Sequence, residues 1–239
     1  MKAALRTFSE QVQGGDEVLF FFAGHGVQLG ATNYLLPIDI VGDSEAQVRD
    51  EALQLQRVLD DMSDRKVKFT LAIIDECRDN PFKSTGRAIG GRGLAPTTAA
   101  TGQMVIFSAG TGQQALDKLN NADKNKNGLF TRIFVQEMQK PNLSIDRVVK
   151  NVRNQVAELA KSVGHEQVPA IYDQVLGDFY LKKVTLTPAI SPNGCLDRPT
   201  KAFPAVKRPL RYLPCIQHLD KLKLSPRIHP RWLCAPVNP

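Results

Sequence analysis

Three mostly apolar runs, at residues 18–23, 69–74 and 104–109, are too short for buried helices but apolar enough for strands covered on both faces. A more polar run at 178–182 reads as a fourth strand. Helical spacing fills the intervals. Leu55, Val58, Leu59 and Met62 follow the i, i+3, i+4, i+7 rule, and Phe130, Ile133, Phe134 and Met138, at i, i+3, i+4, i+8, suggest a further helix. Ile145, Val148, Val149, Val152, Val156 and Leu159 sustain the rule over four turns behind Ser144, a residue type suited to an N-cap. Leu5, Phe8 and Val12 mark an amphipathic segment that leads straight into the first strand. Strands alternating with helices pair in parallel and are covered on both faces, so the expected fold class is α/β, a three-layer α/β/α sandwich with a mostly parallel sheet.

Charge divides the chain in two. The net +7 lies wholly beyond Val184: residues 1–184 carry 22 Lys and Arg against 22 Asp and Glu, residues 185–239 carry 9 against 2. The second stretch also holds 10 of the 15 prolines and three of the four cysteines, Cys195, Cys215 and Cys234. A folded domain is therefore expected over 1–184, with a Pro-rich basic tail at 185–239 that is irregular and disordered. Its charge makes nucleic acid or acidic membrane conceivable partners, but a solvated tail is the simpler reading. The tail cysteines stand about 20 residues apart, without the close pairs of structural zinc sites, so no metal is assigned there. The opening MKAALRTFSEQ has no signal-like apolar stretch, and VLFFFAG is too short to span a bilayer; a cytoplasmic location is expected.

The chemistry concentrates at two predicted strand ends. The first run leads into A-G-H-G, residues 23–26, and the second into I-D-E-C, residues 74–77. Reactive groups in open parallel sheets gather beyond the carboxyl ends of strands, which places His25 and Cys77 together if the strands are neighbours. A thiol beside an imidazole supplies a nucleophile and a proton shuttle. Taken singly, each residue has a plainer reading. Cys77 suits a small core side chain, His25 a turn, Asp75 a cap, and Arg78 with Asp79 a solvated pair.

Five stretches carry a resemblance: VLFFFAGHGVQLGATNYLLPID, LAIIDECRDNPF, VIFSAGTGQQALD, NGLFTRIF and VPAIYDQVLGDFYL. Together and in this order they resemble the caspase-like cysteine peptidases of the metacaspase and bacterial type, over most of residues 1–184. His25 precedes Cys77 by 52 residues, near the ~50-residue spacing seen in caspases. The resemblance implies a caspase-like fold and a dyad of nucleophile Cys77 and catalytic His25, with the backbone N–H groups of Cys77 and Gly26 as the oxyanion hole. It implies that Asp75 lines the primary specificity pocket and selects Arg or Lys before the scissile bond of a peptide or protein substrate. Ser108 and Ala109 fall where relatives build a further pocket wall.

Relatives also carry an initial strand and helix, usually with a second strand, ahead of the segment that opens this chain. The domain is thus expected to be N-terminally incomplete, with an exposed sheet edge through which a homo-oligomer can form. The alternative to an active peptidase is a truncated, inactive caspase-like fragment serving as an interaction module. Calcium enters by resemblance alone, because many metacaspases need it. Residues 123–128, D-K-N-K-N-G, imitate the start of a calcium-binding loop, yet its twelfth position is Phe134 where a glutamate is required. A polar turn before a helix is the reading adopted, and the N-L-S sequon at Asn142 is set aside in favour of Ser144 as a cap.

Overall fold

The structure is a computed structural model that describes residues 1–41, 44–77, 95–184 and 211–215. Arg78, Asp79, Cys195 and Cys234 lie outside the described residues. The elements are α1 (Lys2–Gln11), β1 (Glu17–Leu29), β2 (Thr32–Leu35), α2 (Glu45–Glu51), β3 (Leu53–Gln54), α3 (Leu55–Asp64), β4 (Phe69–Cys77), β5 (Gln103–Phe107), α4 (Leu129–Met138), α5 (Ile145–Ser162), β6 (Ala170–Asp173) and β7 (Arg211–Cys215). The sheet runs β3-β2-β1-β4-β5-β6, with β7 also on β1. Its centre, β7-β1-β4-β5, is parallel, while β2, β3 and β6 join antiparallel.

Strand alternation sorts the core into two layers. Phe21, Leu71, Ile73, Met104 and Ile106 face α4 and α5, meeting Phe130, Ile133, Phe134, Val148 and Val152. Phe20, Phe22, Ala72, Ile74, Val105 and Phe107 face the opposite way, where Leu55, Val58 and Leu59 of α3 cover them. Both faces of β4 are sealed, and burying each Leu or Ile contributes roughly 1.5–3 kcal/mol. This produces the expected α/β, three-layer architecture. The buried carboxylate of Glu137 ties α4 to α5 by accepting from Lys140, Asn151 and Gln155. Burial alone raises its pKa, but these donors outweigh burial and the net direction is down.

Several expectations are corrected. Residues 178–182 form no strand; the antiparallel strand is β6, pairing Phe107 with Ala170 and Met104 with Asp173. Phe179 instead stacks its ring on Phe69, with centroids 3.9 Å apart, and its carbonyl accepts from the Ile145 N–H. Packing of one aromatic plug outweighs the weak alternation of D-F-Y-L-K. Ser144 does occupy the N-cap position of α5, but its side chain makes no capping bond. β1 continues past the A-G-H-G stretch to Leu29 and turns through Gly30 and Ala31 into β2. Gly30 has φ 65°, the left-handed value a two-residue hairpin requires. Finally, residues 211–215 of the tail form β7, which pairs in parallel with Val18–Phe22 of β1. Unpaired backbone groups along that edge explain why a strand docks there. Pro214 is compatible with this place, since among the described residues β7 has only β1 as a partner.

Candidate active site

The parallel ladder between β1 and β4 runs from Glu17 with Phe69 to its last pair, His25 with Cys77. Beyond His25, β1 changes partner: Gly26 registers with Leu35 of β2, and the His25 carbonyl accepts the Leu36 N–H at 2.9 Å. The two residues picked out as a dyad are therefore register neighbours on adjacent strands, at the carboxyl end of β4 and the partner switch of β1. Adjacent strands lie about 4.8 Å apart, so the backbone sets the two residues side by side. His25 is exposed and Gly26 buried.

Asp75, register partner of Ala23, follows Leu71 and Ile73 on the α4 face of β4. Its half-buried carboxylate accepts from the hydroxyl and the backbone N–H of Thr131, in the first turn of α4, and from the hydroxyl of Ser108. Burial nevertheless dominates and pushes its pKa above the ordinary carboxylate value; the hydrogen bonds oppose this, and the negative charge of Asp117 adds to it. Two carboxylates thus share one site. An ideal Cβ on Gly128 would lie 3.7 Å from Asp75 Oδ2, 3.8 Å from the Asp117 Cα and 3.3 Å from the Leu116 carbonyl oxygen. A side chain at 128 would press on that carbonyl, so glycine permits this close approach of three segments.

Ser108 and Ala109 are both buried. Besides serving Asp75, the Ser108 hydroxyl accepts the Glu76 N–H at 3.2 Å, so Ser108 stands behind Asp75 as a brace. Thr131 and Asp117 belong to the same cluster yet were not singled out from the sequence. Asp117 is the last residue of the GTGQQALD stretch, and Thr131 shares the buried face of α4 with Phe130 and Phe134. Only their effect on Asp75, a hydrogen bond from Thr131 and the charge of Asp117, distinguishes them.

The D-K-N-K-N-G turn does not fit a cation loop. Both Asp123 carboxylate oxygens accept from Arg132 Nη1, at 2.8 and 3.0 Å, and also from the Leu119 and Asn125 N–H groups. These bonds, the Leu119 N–H foremost, lower its pKa to about 2. A guanidinium already supplies the positive charge, and the turn anchors the chain between Asp117 and α4.

A cysteine and a histidine in register on adjacent strands of an α/β sheet are compatible with one class, the hydrolases that work through a cysteine. The comparisons narrow it: the caspase domain family, peptidase C14, matches residues 1–180, and the chain belongs to that family of cysteine peptidases. Among solved structures it is similar to caspase-1 from Spodoptera frugiperda, with TM-score 0.51 and 16% identity over 76% of this chain and 71% of that one. A structure described as pro-sf-caspase-1 matches with TM-score 0.45 and 13% identity, covering 77% and 73%. At 16% identity the first of these likenesses speaks for the fold alone. No curated protein matches.

Proposed function

We propose that the chain is a cysteine endopeptidase in which Cys77 is the nucleophile, His25 the general acid and base, and Asp75 with Asp117 the selector for Arg or Lys before the scissile bond. The observation that carries the dyad is the final register pair of the β1/β4 ladder, His25 with Cys77. The Cys77 thiolate attacks the peptide carbonyl carbon, and the backbone N–H groups of Cys77 and Gly26 stabilise the developing oxyanion. Collapse breaks the C–N bond, the His25 imidazolium gives its proton to the leaving amine, and a thioester remains. Neutral His25 then takes a proton from water, whose oxygen attacks the thioester; the acid product departs and the thiol is restored.

The selectivity follows from charge. Asp75 is partly desolvated beside a second carboxylate, so its ionised form is disfavoured in the free protein. A substrate guanidinium relieves this strain and offers paired hydrogen bonds. An aspartate side chain would add a third negative charge.

Competitive labelling of the full chain with an irreversible thiol reagent carrying an arginyl peptide tests this reading. Cys77 is expected to react at least about a hundredfold faster than Cys195, Cys215 and Cys234, because in this reading it has His25 as a base and a neighbouring pocket that binds the arginyl group. Equal labelling of all four would favour the inactive fragment.

A further inference from the structure

The cluster just described hangs on a loop that apolar burial holds only near its ends, at Ala109 and at Leu116, which packs against the core. Residues 108–117 follow β5, and Thr111, Gly112 and Gln114 are exposed. Surface loops of this kind are ordinarily mobile. Here four consecutive residues between α5 and β6 bind the loop, His165, Glu166 and Gln167 through their side chains and Val168 through its backbone N–H. Gln167, only 1% exposed, accepts the Leu116 N–H on its Oε1 at 3.0 Å and donates from Nε2 to the Ser108 carbonyl at 2.8 Å. One carboxamide thereby joins the two ends of the loop. Gln113 works from the loop's middle: its Oε1 accepts from the Gly110 and Val168 N–H groups at 3.2 and 2.8 Å, and its Nε2 donates to Glu166 at 2.9 Å. The His165 ring meets the Gln114 carbonyl at 2.8 Å.

The two atoms that Gln167 holds are next to the residues that matter. Ser108 braces Asp75, and Leu116 directly precedes Asp117 while its carbonyl accepts the Leu129 N–H at the start of α4. We propose that Gln167 is a positioning residue for substrate selection: it fixes the spacing of Asp117 and the Ser108 brace around Asp75, and so sets the affinity for a cationic side chain. This rests on the function proposed above. Gln167 touches neither His25 nor Cys77; it reaches β4 only through Ser108, whereas the pairing of His25 with Cys77 is set by the β1/β4 ladder. Its loss should weaken binding and spare chemistry.

The test uses the full chain with Gln167→Met, which keeps the volume but neither hydrogen bond, and Gln167→Glu, which keeps an acceptor for Leu116 and loses the donor to Ser108. KM and kcat are measured on a peptide with Arg before the scissile bond, and amide exchange is followed over residues 108–117. Gln167→Met should raise KM about tenfold with kcat within about twofold, and speed exchange over 108–117 by about tenfold while β1 and β4 keep their protection. Gln167→Glu should fall between wild type and Gln167→Met. Unchanged exchange in both variants, or a fall in kcat at constant KM, overturns the proposal. Failure of the underlying function is a separate result: a wild-type chain that cleaves no Arg or Lys peptide. The clamp then stands or falls on exchange alone.

Discussion

Replacing Asp75 with Asn should separate what this carboxylate does for folding from what it does for substrate. Asn is isosteric: Oδ1 still accepts from Thr131, and the Ser108 hydroxyl can reverse to accept from Nδ2, so α4 keeps its partner. What disappears is a negative charge that burial and Asp117 both disfavour. The sign of the pH effect follows. The folded pKa lies above the unfolded one, so between them the native state holds the extra proton. Wild-type stability is then greatest below the ordinary carboxylate range, falls as pH rises through the raised value, and stays low at neutral pH. Asp75→Asn removes this fall. At pH 7 the variant should be more stable by about 1 kcal/mol, or roughly 2–4 °C in melting temperature for a domain of this size. Cleavage after Arg should meanwhile lose about 3 kcal/mol of transition-state binding, roughly a hundredfold in kcat/KM. Thermal denaturation at pH 4 and pH 7, paired with peptide kinetics, reads both. A less stable variant would make Asp75 chiefly a cap for α4, and cleavage after Arg kept within threefold would remove it from substrate selection.

Asp117→Asn should weaken cleavage after Arg by about tenfold, and combined with Asp75→Asn it should cost less than the sum of the two, because both act on one cation; a double-mutant cycle measures this. Asp123→Asn should reduce stability near neutral pH through loss of the Leu119, Asn125 and Arg132 bonds. The Asp123 contribution exists above the ordinary carboxylate range and fades as pH falls toward about 2, so the variant's deficit should vanish in acid melts. Leu71→Ala, at a fully buried position between β1 and β5, should cost about 3 kcal/mol in chemical denaturation. Deleting residues 185–239 uncovers the Val18–Phe22 edge, and sedimentation should show concentration-dependent association absent from the full chain.

The central strands and the buried faces of α3, α4 and α5 could be read from the sequence because burial is nearly complete there. Leu71, Ile73, Val105 and Ile106 are sealed on both faces, so an apolar run and a strand are the same signal. β2 and β3 could not be read so easily, since T-N-Y-L and L-Q are too short for a period to show; Gly30 was the available sign of a hairpin. Residues 178–182 misled because a single aromatic plug imitates strand alternation. β7 hides in a Pro-rich segment whose composition argues against regular structure, and the open edge of β1 decides the matter instead. In the candidate site, His25, Cys77 and Asp75 stand out as chemistry after apolar runs. Thr131, Asp117 and Gln167 do not, because their place beside it comes from the meeting of segments far apart in sequence.

The most direct measurement is kcat/KM of the purified full chain on matched peptides that differ only in the residue before the scissile bond, Arg, Lys or Asp, for wild type and Cys77→Ala. Arg and Lys peptides should be cleaved at least about a hundredfold better than the Asp peptide, with no turnover in Cys77→Ala. Preference for Asp, or cleavage that survives the loss of Cys77, would contradict the account.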